Sequence, residues 1–261
     1  MSRIHALHSS DYQTTLEAIE GGIRAHTHLA LLNMDGKPRR VYLKVFSDHT
    51  RGLANEIAGW LIATALGLPA PPRACLIDIP GATLSKINEQ PMTGSIAFGV
   101  EALPGKSVKY LYKNADADLI SGAIAKWDNL HKAVAFDDWI ANKDRNNGNI
   151  IRLGKGKFSL IDHSDILTGP AWSAANLDPA LEVRNRLAEM IWHEQPDKED
   201  AGRIADAANA HLAALQHSIA ELEDWWKMLL DETELTAART FLHTRAKNSV
   251  ERIKARYGLM L

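Results

Sequence analysis

The chain has 261 residues, of which 46% are hydrophobic and 24% are charged, so it is long enough to bury one large core or two lobes. Its formal net charge is -2 and no dense block of Lys and Arg stands out, so nothing predicts binding to DNA or to anionic membranes. The N-terminus lacks the apolar segment of a signal peptide and the apolar run 60–68 is too short to cross a bilayer, so we expect a cytoplasmic protein without membrane insertion.

The first predicted element is a β-hairpin. Two largely apolar runs, 28–33 and 39–46, flank Asp35-Gly36, a dipeptide that tolerates positive φ and commonly closes antiparallel hairpins. In the second strand, Lys44 lies on the face opposite to the alternating valine and leucine side chains. At that position a lysine is either a solvated charge or a ligand-binding group.

A long helix and two more strands follow the hairpin. Apolar residues at helical spacing predict a helix over 53–66, which Gly67 and Pro69 would end. The runs 73–79 and 95–100 have the composition of short strands. The single cysteine, Cys75, lies in the first of them and cannot form an intrachain disulfide, so we expect a buried structural thiol.

The composition changes after residue 103, where Pro104 and Gly105 interrupt the last of these strands. We therefore predict a lobe boundary there, with an N-terminal lobe in 1–103 and a C-terminal lobe in 104–261. The second lobe contains a predicted hairpin, 150–151 with 157–161, closed by a turn at 154–156. Apolar stripes within 212–222 and 235–257 predict core-facing helices near the end of the chain.

Three polar residues between the apolar segments of the second lobe are spaced as a phosphoryl-transfer site requires. Asp144 lies in a polar loop between two hydrophobic segments, where a carboxylate can orient a hydroxyl and accept its proton. Asn149 follows five positions later, and the predicted hairpin would bring Asp162 close to it. A carboxylate and an amide oxygen, completed by water and phosphate oxygens, are typical ligands for Mg²⁺.

Two residues of the first lobe complete this set. Glu56 on the predicted helix can fix the ammonium of Lys44, so that the lysine meets the nucleotide phosphates. Gly21 and Gly22 precede the first strand of the hairpin and would let the backbone approach phosphates, although a pair of glycines is equally typical of a turn. His163 could orient the neighbouring carboxylate or a phosphate, or serve only as hydrogen-bonded structure.

These motifs resemble the HipA-like branch of the protein-kinase-like superfamily, and the catalytic segment also looks like that of phosphoinositide kinases. The resemblance is carried by residues 142–150 and 160–163, is supported by 42–45 and 55–58, and so reaches across both predicted lobes. Asn146 stands where family members often carry His. The His-Arg-Asp, Asp-Phe-Gly and Ala-Pro-Glu signatures of eukaryotic-type kinases are absent from the sequence.

The resemblance implies a bilobed α+β kinase-like fold, with a small N-lobe sheet and one helix, and a mostly helical C-lobe. It implies that Asp144 is the catalytic base and that Asn149 and Asp162 hold Mg²⁺. It places the adenine near 99–103. The residues expected to contact ATP or its phosphates are Lys44, Glu56, Gly21, Gly22, Glu101 and Leu103, and those expected to orient the catalytic groups are Asn142, Arg145 and His163.

HipA-like proteins are bacterial serine/threonine kinases, several of them toxins paired with an antitoxin. The resemblance therefore implies an ATP- and Mg²⁺-dependent kinase that phosphorylates a Ser or Thr hydroxyl on a protein substrate, its own chain included, with a separately encoded antitoxin or regulator as partner. The sequence leaves open a lipid or small-molecule kinase and a nucleotide-binding scaffold without turnover. A Mg²⁺-dependent hydrolase with an acidic cluster of Asp144, Asp162 and Asp165 would leave Lys44 and Glu56 unexplained.

Overall fold

The computed structural model describes residues 3–19, 25–47, 51–88, 92–113 and 117–259. A mixed sheet forms most of the N-terminal part, and helices form most of the remainder. In the described residues the larger sheet has six strands in the order β1-β5-β6-β4-β3-β2. Their bounds are β1 (Ile4–Leu7), β2 (Tyr12–Ile19), β3 (Ala25–Met34), β4 (Lys37–Phe46), β5 (Ala74–Ile79) and β6 (Ser95–Glu101).

The predicted hairpin is formed by β3 and β4, which pair antiparallel from Ala25 opposite Phe46 to Met34 opposite Lys37. Asp35 and Gly36 both have positive φ, 54° and 71°, which matches the right-handed twist of the two strands. On its other edge β4 pairs with β6. Lys44 therefore lies on a central strand, where both neighbours fix its backbone.

Helix α1 (Gly52–Ala65) confirms the predicted long helix to within a residue. All its residues from position 54 to 63 are buried, because it lies between the sheet and the helices of the C-terminal part. At Gly59 an added Cβ would come 2.2 Å from the Cβ of His163, so only glycine allows this close approach. The structure adds a second, short helix, α2 (Gly81–Asn88), between the two predicted strands, where we predicted no helix.

The C-terminal part contains a small antiparallel sheet in the order β7-β8-β9, with β7 (Lys106–Ser107), β8 (Ile150–Gly154) and β9 (Lys157–Leu160). The pairing of β8 with β9 confirms the second predicted hairpin. The helices are α3 (Val108–Tyr112), α4 (Ala117–Ala125), α5 (Leu130–Trp139), α6 (Arg186–Trp192), α7 (Lys198–Ala208), α8 (His211–Trp226), α9 (Glu232–Lys247) and α10 (Ser249–Arg256). The apolar stripe predicted over 235–257 is thus divided between two helices, which break at Asn248.

The main core joins α1 to the helices of the C-terminal part, whereas a smaller apolar cluster fills the other face of the sheet. Polar bonds reinforce the junction, since the Trp226 indole donates to the carbonyl of Ala54 at 3.0 Å and the Leu160 amide donates to that of Pro69 at 2.9 Å.

The boundary predicted at residue 103 falls between β6 and β7 and stays a prediction. Cys75 is buried, and burial raises its thiol pKa to about 12. Within the ranges given above, no helix is long and apolar enough to cross a membrane.

Candidate active site

The ammonium of Lys44 lies between two carboxylates. Its Nζ is 2.5 Å from Oε1 of Glu56 and 2.7 Å from Oδ1 of Asp162. Strand β4 presents the lysine, helix α1 presents the glutamate, and Asp162 follows β9. The structure therefore brings together three residues that the sequence predicted to act on nucleotide phosphates and metal.

Burial and charge act against each other in this cluster. Burial alone would lower the pKa of Lys44, but the charges of Glu56 and Asp162 outweigh it and raise that pKa above its ordinary value. Burial likewise opposes ionisation of Asp162, yet the ammonium holds the pKa of this carboxyl below its usual range. Burial raises the pKa of Glu56 to about 7, because this carboxyl is the most enclosed of the three and shares one cation with a second anion. At neutral pH the lysine is charged and Asp162 is ionised.

A sharp backbone turn aims Asp162 into the cleft. Its φ is 61°, a left-handed conformation that is uncommon for a residue with a side chain and is seen most often at functional or turn positions. The Ser164 hydroxyl donates to Oδ1 at 2.9 Å, and the amide of His163 donates to Oε2 of Glu56 at 2.9 Å. Glu56 of helix α1 therefore accepts one hydrogen bond from this turn and another from Lys44.

Arg145 fastens the loop that carries Asp144 to the segment that carries Asp162. Its guanidinium is completely buried and donates to both carboxylate oxygens of Asp137, at 3.1 Å for the closest pairs. It also donates to the carbonyl of Ile161 at 2.5 Å and to Nδ1 of His163 at 3.1 Å. Burial, followed by the positive charge of Arg145, holds the pKa of His163 well below its ordinary value, so the ring is neutral and can accept this bond.

The loop before β8 is held by its own amide side chains. Asn142 accepts from the amide of Asp144 at 3.0 Å and donates to Asp137 at 3.0 Å. The Asn149 Nδ2 donates to the carbonyl of Asp144 at 2.7 Å, which commits its nitrogen and leaves its Oδ1 as the atom available to a ligand. Asn146 donates to Oδ2 of Asp144 at 3.0 Å and accepts from the amide of Gly148.

Asp144 itself faces solvent at the edge of the cleft. Its Oδ1 lies 2.6 Å from a guanidinium nitrogen of Arg186, the first residue of α6. Both side chains are partly exposed, 37% for the aspartate and 46% for the arginine. Sequence reasoning did not identify this partner, because it lies 42 residues away, where no element was predicted.

A cleft of about 490 Å³ opens over these residues. Its walls include Lys44, Glu56, Asn149, Asp162 and His163. Two other predicted positions, Glu101 at the end of β6 and Leu103 two residues later, also line the cleft. The Glu101 carboxylate is already paired with Arg39 at 3.2 Å and with Arg73 at 2.8 Å, so a ligand would meet other atoms of this residue. Gly21 and Gly22 lie outside the described residues.

The donor set of the cleft fits a divalent cation bound through phosphate. Among the described residues no three His, Cys, Asp or Glu side chains come close enough together to hold a metal ion by themselves. Asp162 supplies a carboxylate and Asn149 an amide oxygen, both on the cleft wall. Mg²⁺ commonly takes one or two protein oxygens of this kind and completes its shell with water and substrate phosphates. The same finding gives no support to a hydrolase built on a three-aspartate cluster.

Sequence reasoning missed the role of two buried residues. The Asn55 amide donates to the carbonyls of Ser164 and Ile166 at 2.8 and 3.0 Å and accepts from the indole of Trp172 at 2.9 Å. It thereby ties α1 to the segment after Asp162. Asp137, the partner of Arg145, was likewise missed. The available signal was a polar residue inside a segment expected to be buried. Asn55 immediately precedes Glu56 on the predicted helix, and Asp137 lies among the apolar residues of α5.

No family model matches the chain, and no curated protein sequence matches it. Among solved structures it is similar to the crystal structure of CtkA, a proinflammatory kinase of Helicobacter pylori, at 13% sequence identity and a TM-score of 0.56. The similarity covers 98% of this chain and 99% of that chain. It extends over both the sheet and the helical part, and it confirms the predicted fold class. The protein has a bilobed, kinase-like α+β fold.

Proposed function

We propose that the protein is a kinase that uses ATP and Mg²⁺ to phosphorylate a Ser or Thr hydroxyl of a protein. The observation that carries the proposal is the position of Lys44, whose ammonium is held between Glu56 and Asp162 on the wall of a cleft of about 490 Å³. A fixed cation beside a carboxylate and an amide oxygen is suited to the phosphates of a nucleotide.

In this proposal Lys44 binds the α- and β-phosphates, and Glu56 keeps the ammonium in place by accepting its hydrogen bond. Asn149 and Asp162 would hold Mg²⁺, which supplies neutralisation of phosphate charge. Asp144 orients the acceptor hydroxyl and accepts its proton as the new O–P bond forms and the bond to the bridging oxygen of ADP breaks. Asn142 and Asn149 fix the backbone of Asp144 through its amide and carbonyl.

The exposure of Asp144 favours a protein acceptor over a small molecule. The carboxylate is 37% exposed and lies at the rim of the cleft, outside its lining. Enzymes that act on small molecules usually enclose most of the substrate surface. A hydroxyl on a protein segment can reach a rim position, since the rest of the segment remains outside the cleft.

The resemblance to HipA-like kinases supports two finer parts of the proposal. We propose that the protein also phosphorylates its own chain, and that a separately encoded antitoxin or regulator controls it. A lipid or small-molecule acceptor is the competing assignment of the same chemistry.

Transfer of labelled γ-phosphate from ATP tests the proposal. The wild type, Asp144→Asn and the control Asp224→Asn would be incubated with ATP and Mg²⁺, alone and with bacterial lysate. The control removes a carboxylate that is 78% exposed on α8 and pairs with Lys227. We expect labelled protein bands with the wild type and the control, and a signal reduced by about 10²–10⁴-fold in Asp144→Asn.

Each other outcome would contradict a part of the proposal. Undiminished transfer by Asp144→Asn would remove the proposed base. Label found in lipid or small molecules would reject the protein acceptor. Nucleotide binding without transfer to any acceptor would identify a non-catalytic binder. Mass spectrometry of the protein incubated alone would test phosphorylation of its own chain.

A further inference from the structure

A second cleft of about 650 Å³ adjoins the nucleotide cleft and is lined by four cationic side chains. We call it the basic groove and define it by Arg40, Lys106, Arg152 and Lys155, with Leu111 and Leu153 between them. These residues come from β4, from β7 and α3, and from the hairpin of β8 and β9. Tyr42, Leu103 and Lys106 line both clefts, so the groove reaches the mouth of the nucleotide site.

The four cations of the basic groove have no anionic partner among the residues that the structure describes. The Lys106 ammonium lies 5.3 Å from the centre of the Tyr110 ring, a cation–π contact that leaves its charge uncompensated. The other arginines within the described ranges are paired, as for Arg184 with Glu189 at 2.7 Å and Arg256 with Asp138 at 2.8 Å. In a chain whose formal net charge is -2, the groove thus brings four cations without a counter-charge to one surface.

The backbone that carries these charges is fixed. The carbonyl of Arg40 accepts a hydrogen bond from the amide of Ala102 at 2.8 Å, and Lys106 pairs with Arg152 across β7 and β8. At Gly105 an added Cβ would come 2.4 Å from the carbonyl oxygen of Arg152, so the connector is packed directly against β8. A preorganised set of charges loses less freedom on binding than a set on mobile loops.

We propose that the basic groove binds an acidic segment of a partner protein, one in which apolar residues are interspersed among Asp or Glu residues. The cations would pair with the carboxylates, and Leu111 and Leu153 would contact the apolar side chains. Nucleic acid fits less well, because it is bound through a track of phosphate contacts, whereas the four cations of this groove share its lining with leucine and proline side chains. The inference goes beyond the proposed kinase function, since it concerns how a partner is held beside the cleft, whatever group is phosphorylated.

Fluorescence anisotropy with a labelled peptide of repeated Glu-Glu-Leu units tests the proposal without ATP. The test variant carries Arg40→Glu and Lys155→Glu, both exposed and outside the nucleotide cleft. The control carries Lys198→Glu and Lys247→Glu, which make the same change of net charge at exposed positions of α7 and α9. We expect the test variant to bind the peptide at least about tenfold more weakly, the control to stay within about twofold, and wild-type affinity to fall with salt.

Three results would overturn the proposal. The first is no binding of the peptide by the wild type at low ionic strength. The second is an equal loss in the test and control variants, which would show that net charge rather than the groove governs binding. The third is tighter binding of a single-stranded oligonucleotide that the test variant also loses, which would assign the groove to nucleic acid. None of these measurements depends on phosphate transfer, so they distinguish failure of this proposal from failure of the kinase assignment.

Discussion

The two sides of the candidate active site use ion pairs of nearly the same length in different surroundings. On the side proposed to bind phosphate, which we call the phosphate side, Lys44 and Asp162 are 2.7 Å apart. On the side proposed to meet the acceptor hydroxyl, which we call the acceptor side, Arg186 and Asp144 are 2.6 Å apart. The lysine is 17% exposed and has Glu56 as a second, buried partner, whereas the arginine is 46% exposed. Exposure, more than distance, decides how much an ion pair contributes. The phosphate side is therefore a fixed part of the fold, and the acceptor side is free to exchange its partner.

The largest loss of stability is expected from the buried ion pair of Asp137 and Arg145, which belongs to neither side of the site. Asp137→Asn would leave the guanidinium completely buried without its counter-charge, which should lower the free energy of unfolding by about 3–5 kcal/mol. Urea denaturation measures this change. Asp224→Asn, at an exposed carboxylate, should change it by less than about 0.5 kcal/mol. Equal effects in the two variants would show that the carbonyl and His163 partners of Arg145 are sufficient to hold it.

Lys44→Met tests the phosphate side directly. It removes the cation between two carboxylates, and we expect a loss of about 2–4 kcal/mol in unfolding free energy together with loss of nucleotide binding. Adding Glu56→Gln should restore part of the stability, because the buried carboxyl, whose pKa rises further once its cation is gone, no longer has to take up a proton in the folded state, but it should not restore binding. Calorimetric titration with a nucleotide and denaturation of both variants would be compared. Recovery of nucleotide binding in the double variant would contradict the role given to the lysine.

Buried histidines outside the cleft make the free energy of unfolding depend on pH. Burial lowers the pKa of His28 to about 4 and that of His211 to about 3, from an ordinary value of 6.5. The unfolded chain therefore binds protons more readily below pH 6.5, so stability is lost as the pH falls toward these folded values. Between pH 7.5 and 5 each histidine should remove about 2 kcal/mol. Denaturation of His28→Gln across this range should show a smaller loss than the wild type, and an unchanged slope would refute the argument.

The smallest effect is expected on the acceptor side. Arg186→Gln removes an exposed ion pair and should change the unfolding free energy by less than about 1 kcal/mol. Steady-state kinetics should show a changed KM for the acceptor and an unchanged KM for ATP. A loss of stability as large as that of Lys44→Met would remove the distinction between the two sides.

The sequence predicted those parts of the molecule whose signals are local. The Asp35-Gly36 turn, the apolar spacing of α1 and the glycines before β9 each determine a structure within a few residues, and the structure contains all three. The hairpin of β8 and β9 predicted that Asn149 and Asp162 lie close together, and both residues line the same cleft.

The remaining features depend on distant partners. Arg186 approaches Asp144 from 42 positions away, and nothing in its local sequence distinguishes it from other exposed arginines. Asn55 acquires its role from carbonyls more than a hundred positions later. The break at Asn248 is equally invisible to periodicity, because the apolar stripe continues across it. Such contacts are set by the packing of whole elements and not by neighbouring residues.

Helix α1 has almost no surface toward water, and this limits how the protein can be switched on and off. Moving Glu56 away from Lys44 would require Ile57, Trp60, Leu61 and Ile62 to leave their packing. At about 1.5–3 kcal/mol for each side chain, the displacement costs on the order of 6–12 kcal/mol. A regulator can shift an equilibrium only by the difference in its affinity for the two states, and micromolar binding provides about 8 kcal/mol in total. Displacing α1 would consume most or all of that binding energy, so we expect an inhibitor of this protein to block entry to the cleft while the helix stays in place.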